Sequence, residues 1–126
     1  PKLLVSDENE PLGFRMTSNG KAVYYYNSDD EVYYQRGKGK SKLIGESDGG
    51  SFDIYKGKTL YWVEDGELKR SKSGGKAKTV GDFDGDVDYI FIEYKFIEAH
   101  TSDDDDSFLY LSKNGKKFEL VSESNY

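Results

Sequence analysis

The chain has 126 residues, the length of one ordinary domain, and its composition excludes several classes of protein. It contains no cysteine, which excludes disulfides, thiolate metal sites and cysteine catalysis. A net charge of -6 argues against nucleic acid as the main partner. No apolar run approaches the roughly 18 residues that a membrane-spanning helix needs. Aromatic residues make up 15% of the chain, so we expect a packed core.

Short β-branched and aromatic runs, separated by Gly, Asn, Asp and Lys-Gly turns, predict an all-β fold. No stretch has a helical period, and Pro1 and Pro11 lie outside the predicted strands, as strand chemistry requires. In chain order the thirteen predicted strands are residues 2–5, 13–17, 22–26, 31–36, 41–45, 51–55, 59–63, 67–72, 76–80, 87–92, 95–100, 107–112 and 117–122.

A repeat with an offset of 37 residues organises these strands: GKAVYYY at 20–26 is followed by GKTLYWV at 57–63 and YKFIEAH at 94–100. A second repeat matches SKSG at 71–74 with SKNG at 112–115. A fixed period of this length indicates a modular array. We therefore predict one domain, 1–126, of three four-stranded antiparallel propeller-type blades at about 12–48, 49–84 and 85–124.

The segment 2–5 resembles an extra copy of the last strand of a blade, so the predicted array both starts and ends with that strand. Closed propellers have roughly 4–8 blades, and three are too few to close a ring. The sequence leaves three alternatives open: an open arc, a piece of a longer array, or a homo-oligomer that completes a ring.

The run Tyr61-Trp62-Val63-Glu64, followed by EDGELKR at 64–70 and SGGK at 73–76, resembles blades of YWTD-type and related bacterial β-propellers, including the family of unknown function DUF5050. Choline- or glucan-binding repeats are a weaker match, because their period is near 20 residues and they are rich in Trp. The resemblance implies a non-enzymatic binding or scaffolding module of a bacterial surface or secreted protein, with a cytoplasmic location not excluded. The third predicted blade departs from the pattern, because Glu98-Ala99-His100 stand where aromatic residues are expected.

In a meander the turns alternate between the two ends of the strands, and this sorts the charges. One end holds the turns between blades and the turns between the second and third strands of each blade. Together with its flanking residues, this end carries 19 of the 24 acidic residues. The opposite end and its flanks carry 14 of the 18 Lys and Arg residues. We therefore predict an acidic face that contacts a protein or small ligand. Its candidate ligand-binding residues are Asp29, Asp30, Glu64, Asp65, Asp103 and Asp104.

One acidic stretch also suggests a metal. Asp82, Asp84, Asp86 and Asp88 alternate along the chain, and carboxylate oxygens suit Ca²⁺, although the EF-hand order is not met. No other cofactor is expected.

No catalytic residue is assigned. His100 is the only imidazole, and no nucleophile elbow accompanies it. The alternative function is a glycan-directed enzyme or enzyme-accessory propeller, which would need carboxylates from different blades in one pocket. We expect Trp62 to lie in the core.

Overall fold

Twelve strands form three separate four-stranded antiparallel sheets in a computed structural model that describes residues 11–47, 51–93 and 95–125. Among these residues none lies in a helix, and so none belongs to a helix long and apolar enough to cross a membrane. The predicted strand at 2–5 falls outside the described residues. The strands are β1 (Pro11–Met16), β2 (Ala22–Asn27), β3 (Glu31–Arg36), β4 (Lys42–Glu46), β5 (Phe52–Tyr55), β6 (Thr59–Glu64), β7 (Glu67–Lys72), β8 (Lys78–Val80), β9 (Asp86–Glu93), β10 (Phe96–Ser102), β11 (Asp106–Ser112) and β12 (Glu119–Asn125).

Each sheet is a simple meander in which every strand pairs with the next one along the chain. The prediction that Pro11 lies outside the strands is wrong, because Pro11 is the first residue of the edge strand β1, a position where the missing N–H is tolerated. Strands β1–β4 form blade 1, β5–β8 form blade 2 and β9–β12 form blade 3. The predicted all-β array of three propeller-type blades is therefore confirmed. The repeated segments also take equivalent places, because β2, β6 and β10 are the second strands of their blades.

Blades 1 and 2 pack through their facing side chains. Because successive side chains of a strand point to opposite faces, Tyr24 of β2 and Val32 of β3 share the face that meets blade 2. There they pack against Phe52, Leu60 and Trp62, all of which are buried. Trp62 is fully buried, which confirms its predicted place in the core.

Blades 2 and 3 share a second core. Its buried members are Tyr55, Tyr61, Val63, Leu68, Val87 and Ile97. Phe83 lies partly buried between this core and a neighbouring cluster of blade 3, and its ring meets the Tyr110 ring edge-on at a centroid distance of 4.9 Å. Burial of such large aromatic and aliphatic side chains is the main favourable term in folding, so contacts between blades stabilise each sheet.

The two outward sheet faces are partly apolar. On blade 1, Phe14 pairs with Tyr25 on the face opposite Tyr24, and its side chain is exposed. On blade 3, Phe91 pairs with Glu98 on the face opposite Ile97, and it is exposed as well. These faces are of the kind that stacks on a further blade, but a homo-oligomer that completes a ring stays a prediction.

Candidate functional site

The meanders place the turns at two ends of the blades, and within the described residues each end carries one sign of charge. We call the turns at 27–31, 46–47, 64–67, 80–88 and 102–106 the acidic end; they contain Asp and Glu but no Lys or Arg. We call the turns at 17–21, 37–41, 56–58, 73–77, 95 and 112–118 the basic end; they contain Lys but no Asp or Glu. The strands hold these two groups of turns apart.

The turns of the acidic end are joined by hydrogen bonds. The Ser47 amide donates to the Asp30 carbonyl over 2.7 Å, which links the turn after blade 1 to a turn inside it. The Val87 amide donates to the Gly66 carbonyl over 2.8 Å, which links blade 3 to blade 2. The Thr101 hydroxyl donates to the Asp84 carbonyl over 2.9 Å. The Glu46 amide donates to Glu64 Oε1 over 2.9 Å, which links blade 1 to blade 2, so hydrogen bonds connect the acidic turns of all three blades.

Five of the six predicted ligand-binding residues lie exposed on this surface, and Glu64 is half-buried; the exposed ones are Asp29, Asp30, Asp65, Asp103 and Asp104. The first pair is held by Asn27, whose Oδ1 accepts the amides of Asp29 and Glu31 at 3.0 Å each. Because the turn is fixed by Asn27, the Asp29 and Asp30 carboxylates are not used to form it.

Two of the six predicted residues, Glu64 and Asp103, have structural roles. Glu64 Oε1 accepts the indole N–H of Trp62 at 3.1 Å and the amide of Glu46 at 2.9 Å. Asp103 Oδ1 accepts the amides of Asp105 at 3.2 Å and Asp106 at 2.9 Å, which closes a local turn. These acids shape the surface, and their accepting oxygens are already engaged.

The alternating Asp82, Asp84, Asp86 and Asp88 are not gathered into one centre. Across residues 11–47, 51–93 and 95–125, no three acidic or imidazole side chains stand together as metal ligands would. The Asp84 amide donates to the Tyr110 hydroxyl at 3.0 Å, and Asp86 packs against Gly66. The calcium site stays a prediction that this arrangement does not favour.

At the basic end, tyrosine hydroxyls bridge the blades. Tyr24 donates to the Lys58 carbonyl over 3.0 Å, and Tyr61 donates to the Gly115 carbonyl over 2.7 Å. Tyr24 and Tyr61 occupy equivalent places in the 37-residue repeat. Burial raises the pKa of both phenols, partly offset by backbone hydrogen bonds at Tyr24 and by Arg70 at Tyr61.

A cleft of about 480 Å³ opens at the basic end between blades 1 and 2. Four cationic side chains line it, together with the Tyr34 ring and small polar residues. The cations are Lys21, Arg36, Lys58 and Lys72. The sequence predicted a concentration of basic residues here, but not a concavity, because the cleft depends on how two blades pack.

His100 lies on the outward face of blade 3, beside a smaller cleft of about 280 Å³. Its ring stacks on Tyr89 with centroids 4.3 Å apart, and its Nε2 lies 3.7 Å from a carboxylate oxygen of Glu98. A stacked, partly exposed imidazole of this kind is well explained as a surface packing residue.

Comparison with known proteins identifies the fold. No protein-family model and no curated protein matches the chain. A solved structure described as the AfRom2 CNH domain aligns with 88% of this chain at a TM-score of 0.54 and 9% identity. The CNH domain is a propeller-type fold. This chain has a propeller-type fold.

The likeness shows the fold alone, because the identity is 9% and the chain spans only 41% of the CNH structure. The resemblance to YWTD-type and DUF5050 blades, and the bacterial, extracellular setting that it implies, stay predictions.

Proposed function

We propose that this chain is a non-enzymatic binding module whose acidic end takes up a basic segment of a protein partner. The observation that supports the proposal is the separation of charge between the two ends of the blades. Single-sign turns at the acidic end, joined by the hydrogen bonds at Glu46 and Val87, give a continuous surface rather than scattered charges. A broad surface of one sign attracts and orients an oppositely charged partner before contact.

The division of labour among the acids supports the same function. Exposed Asp29, Asp30, Asp65 and Asp104 carry charge that is not needed to form their turns, whereas Glu64 and Asp103 hold backbone amides. A rigid surface loses little conformational entropy when a partner binds. The blade array therefore serves as a scaffold that presents the acidic end.

The proposal is tested with a synthetic lysine-rich peptide titrated by calorimetry at low and high salt. Neutralising one exposed acid in each of two blades with the double variant Asp65→Asn/Asp104→Asn should weaken binding roughly three- to tenfold, since each exposed ion pair is worth up to about 1 kcal/mol. Asn also tolerates the left-handed backbone of Asp65, whose φ is 51°.

The matched control is Glu93→Gln/Glu119→Gln, which removes the same charge from exposed residues next to the basic end. It should change the affinity little. Equal losses in both variants, or binding by the parent protein that does not weaken as salt rises, would contradict the proposal.

A further inference from the structure

The cleft between blades 1 and 2 is built by backbone contacts rather than by its charged residues. The Ser18 amide donates to the Gly57 carbonyl over 2.9 Å, which ties the first turns of the two blades together. The Tyr24 hydroxyl donates to the Lys58 carbonyl, and the Tyr34 ring lines the cleft. The cavity therefore exists before any ligand arrives, as is usual for small-molecule sites.

Four cations from different elements converge on this cleft. Lys21 and Lys58 come from the first turns of blades 1 and 2, Arg36 ends β3 and Lys72 ends β7. No Asp or Glu lines the cleft, and the described part of the chain shows no carboxylate paired with any of the four. The acids that could neutralise them are gathered at the other end of the blades.

The concentration is not explained by solubility or turn chemistry alone. Lysines at turns protect edge strands, and single exposed lysines need no further reason. Here four like charges repel one another around one concavity, in a chain with a net charge of -6. An anion that entered the cleft would relieve this repulsion and interact with all four cations.

We infer that the cleft is a binding site for a small ligand that carries two or more phosphate or sulfate groups. The guanidinium of Arg36 can hold two oxygens of one such group in parallel, and the lysines act as point charges for the others. The volume of about 480 Å³ lies within the range typical of small-molecule sites. The site is separate from the acidic end and does not depend on the function proposed for it.

A second basic cleft of about 300 Å³ adjoins the first and shares Lys72 with it. Arg70, Lys76 and Lys78 of blade 2 line this extension, again with no acid among the lining residues. Together the two clefts gather seven cations at the basic end, which raises the positive potential that an anion meets in the first cleft. A potential of this size favours a multiply charged ligand over a single phosphate.

The experiment is a calorimetric titration of the whole chain with inorganic tripolyphosphate and, separately, with sucrose octasulfate. We expect the parent chain to bind at least one of them at low ionic strength, with affinity that falls as salt rises. Binding of tripolyphosphate alone would identify a phosphate site, and binding of sucrose octasulfate alone would identify a sulfate site. Binding of both would indicate recognition of anionic oxygens in general, and each of these results supports the inference.

The variant Lys58→Glu/Lys72→Glu should lose binding by about tenfold or more, which corresponds to about 1.4 kcal/mol or more. Its matched control, Lys116→Glu/Lys117→Glu, makes the same change in net charge at the basic end of blade 3, outside the cleft. The control should bind within roughly threefold of the parent chain.

Circular dichroism checks that both variants remain folded. If Lys58→Glu/Lys72→Glu does not fold, Lys21→Glu serves as a second cleft variant. Two results overturn the inference. One is an equal loss of affinity in the cleft and control variants, which would mean that the anion responds to the net charge of the chain and not to the cleft. The other is that neither anion binds the parent chain.

Discussion

The acidic and basic ends of the blades are both made of tight turns, yet they connect the blades in different ways. At the acidic end the links are backbone amides and one carboxylate, Glu64, and most acids stay exposed. At the basic end, buried tyrosine hydroxyls also reach across to carbonyls of the next blade, beside the backbone bond between Ser18 and Gly57. The turns alone give each end its sign of charge. Whether the charged surface also forms a cleft depends on how neighbouring blades pack under the turns.

Gly115 and Tyr61 make one of the two tightest glycine contacts that the described residues show at the basic end. Gly115 has a φ of 76°, and a Cβ there would stand 2.2 Å from the Tyr61 hydroxyl oxygen. Gly115→Ala should therefore lower the free energy of unfolding by about 3 kcal/mol or more, from backbone strain plus the clash. Urea unfolding followed by circular dichroism measures this loss.

Gly20→Ala is the matched control, because Gly20 has a similar φ of 70° but nothing within 4 Å of the added methyl group. It should cost only about 1 kcal/mol, the backbone strain alone. If the two variants are equally stable, Tyr61 does not lie against Gly115, and the contact between blades 2 and 3 is different from the one described.

The corresponding test at the acidic end is Glu64→Ala. The change leaves the buried indole N–H of Trp62 and the amide of Glu46 without their acceptor, so we expect a loss of about 2 kcal/mol in the free energy of unfolding. The fluorescence of Trp62, the single Trp, should also respond.

Glu67→Ala in the same turn is the control. Glu67 is exposed, and its ion pair with Lys69 is long, with 3.9 Å between Oε2 and Nζ. We expect a change within about 0.5 kcal/mol. A larger loss at Glu67 than at Glu64 would show that the acidic end is stabilised by surface ion pairs instead of by the Glu64 hydrogen bonds.

Much of this fold could be predicted from the sequence because the repeat, the strand alternation and the turn residues agree with one another. The 37-residue offset correctly aligned β2, β6 and β10, and the match of 71–74 with 112–115 placed Gly74 and Gly115 in equivalent turns with φ of 71° and 76°. Local turn chemistry and period were sufficient here.

The site was less predictable, since it depends on contacts between residues far apart in the chain. Asp29 and Glu64 look alike as turn acids, but only Glu64 meets an indole N–H from its own strand and an amide from the blade before. The basic cleft needs Ser18 to meet Gly57, 39 positions along the chain, and no local pattern specifies that pairing. The signs of charge at the two ends could be predicted from the sequence, whereas the cleft depends on how blades 1 and 2 pack.

The smallest effect we expect concerns the phenols that bridge the basic end. Burial raises the pKa of Tyr24 and Tyr61 above the ordinary value of about 10, so each keeps its proton in the folded chain at a pH where the unfolded chain has lost it. Their contribution is complete below about pH 10 and is lost as pH rises through the folded-state pKa.

Within that window each phenol should lower the free energy of unfolding by up to about 1.4 kcal/mol per pH unit. Urea unfolding between about pH 9 and pH 11 measures the slope, and Tyr24→Phe/Tyr61→Phe should make it shallower than in the parent chain. Tyr89→Phe, which removes a hydroxyl from an exposed side chain away from the bridges, is the matched control for the loss of a phenol. If the double variant has the parent slope, the two hydroxyls are accessible to water, and the bridges that close the basic end of the blades are not formed in solution.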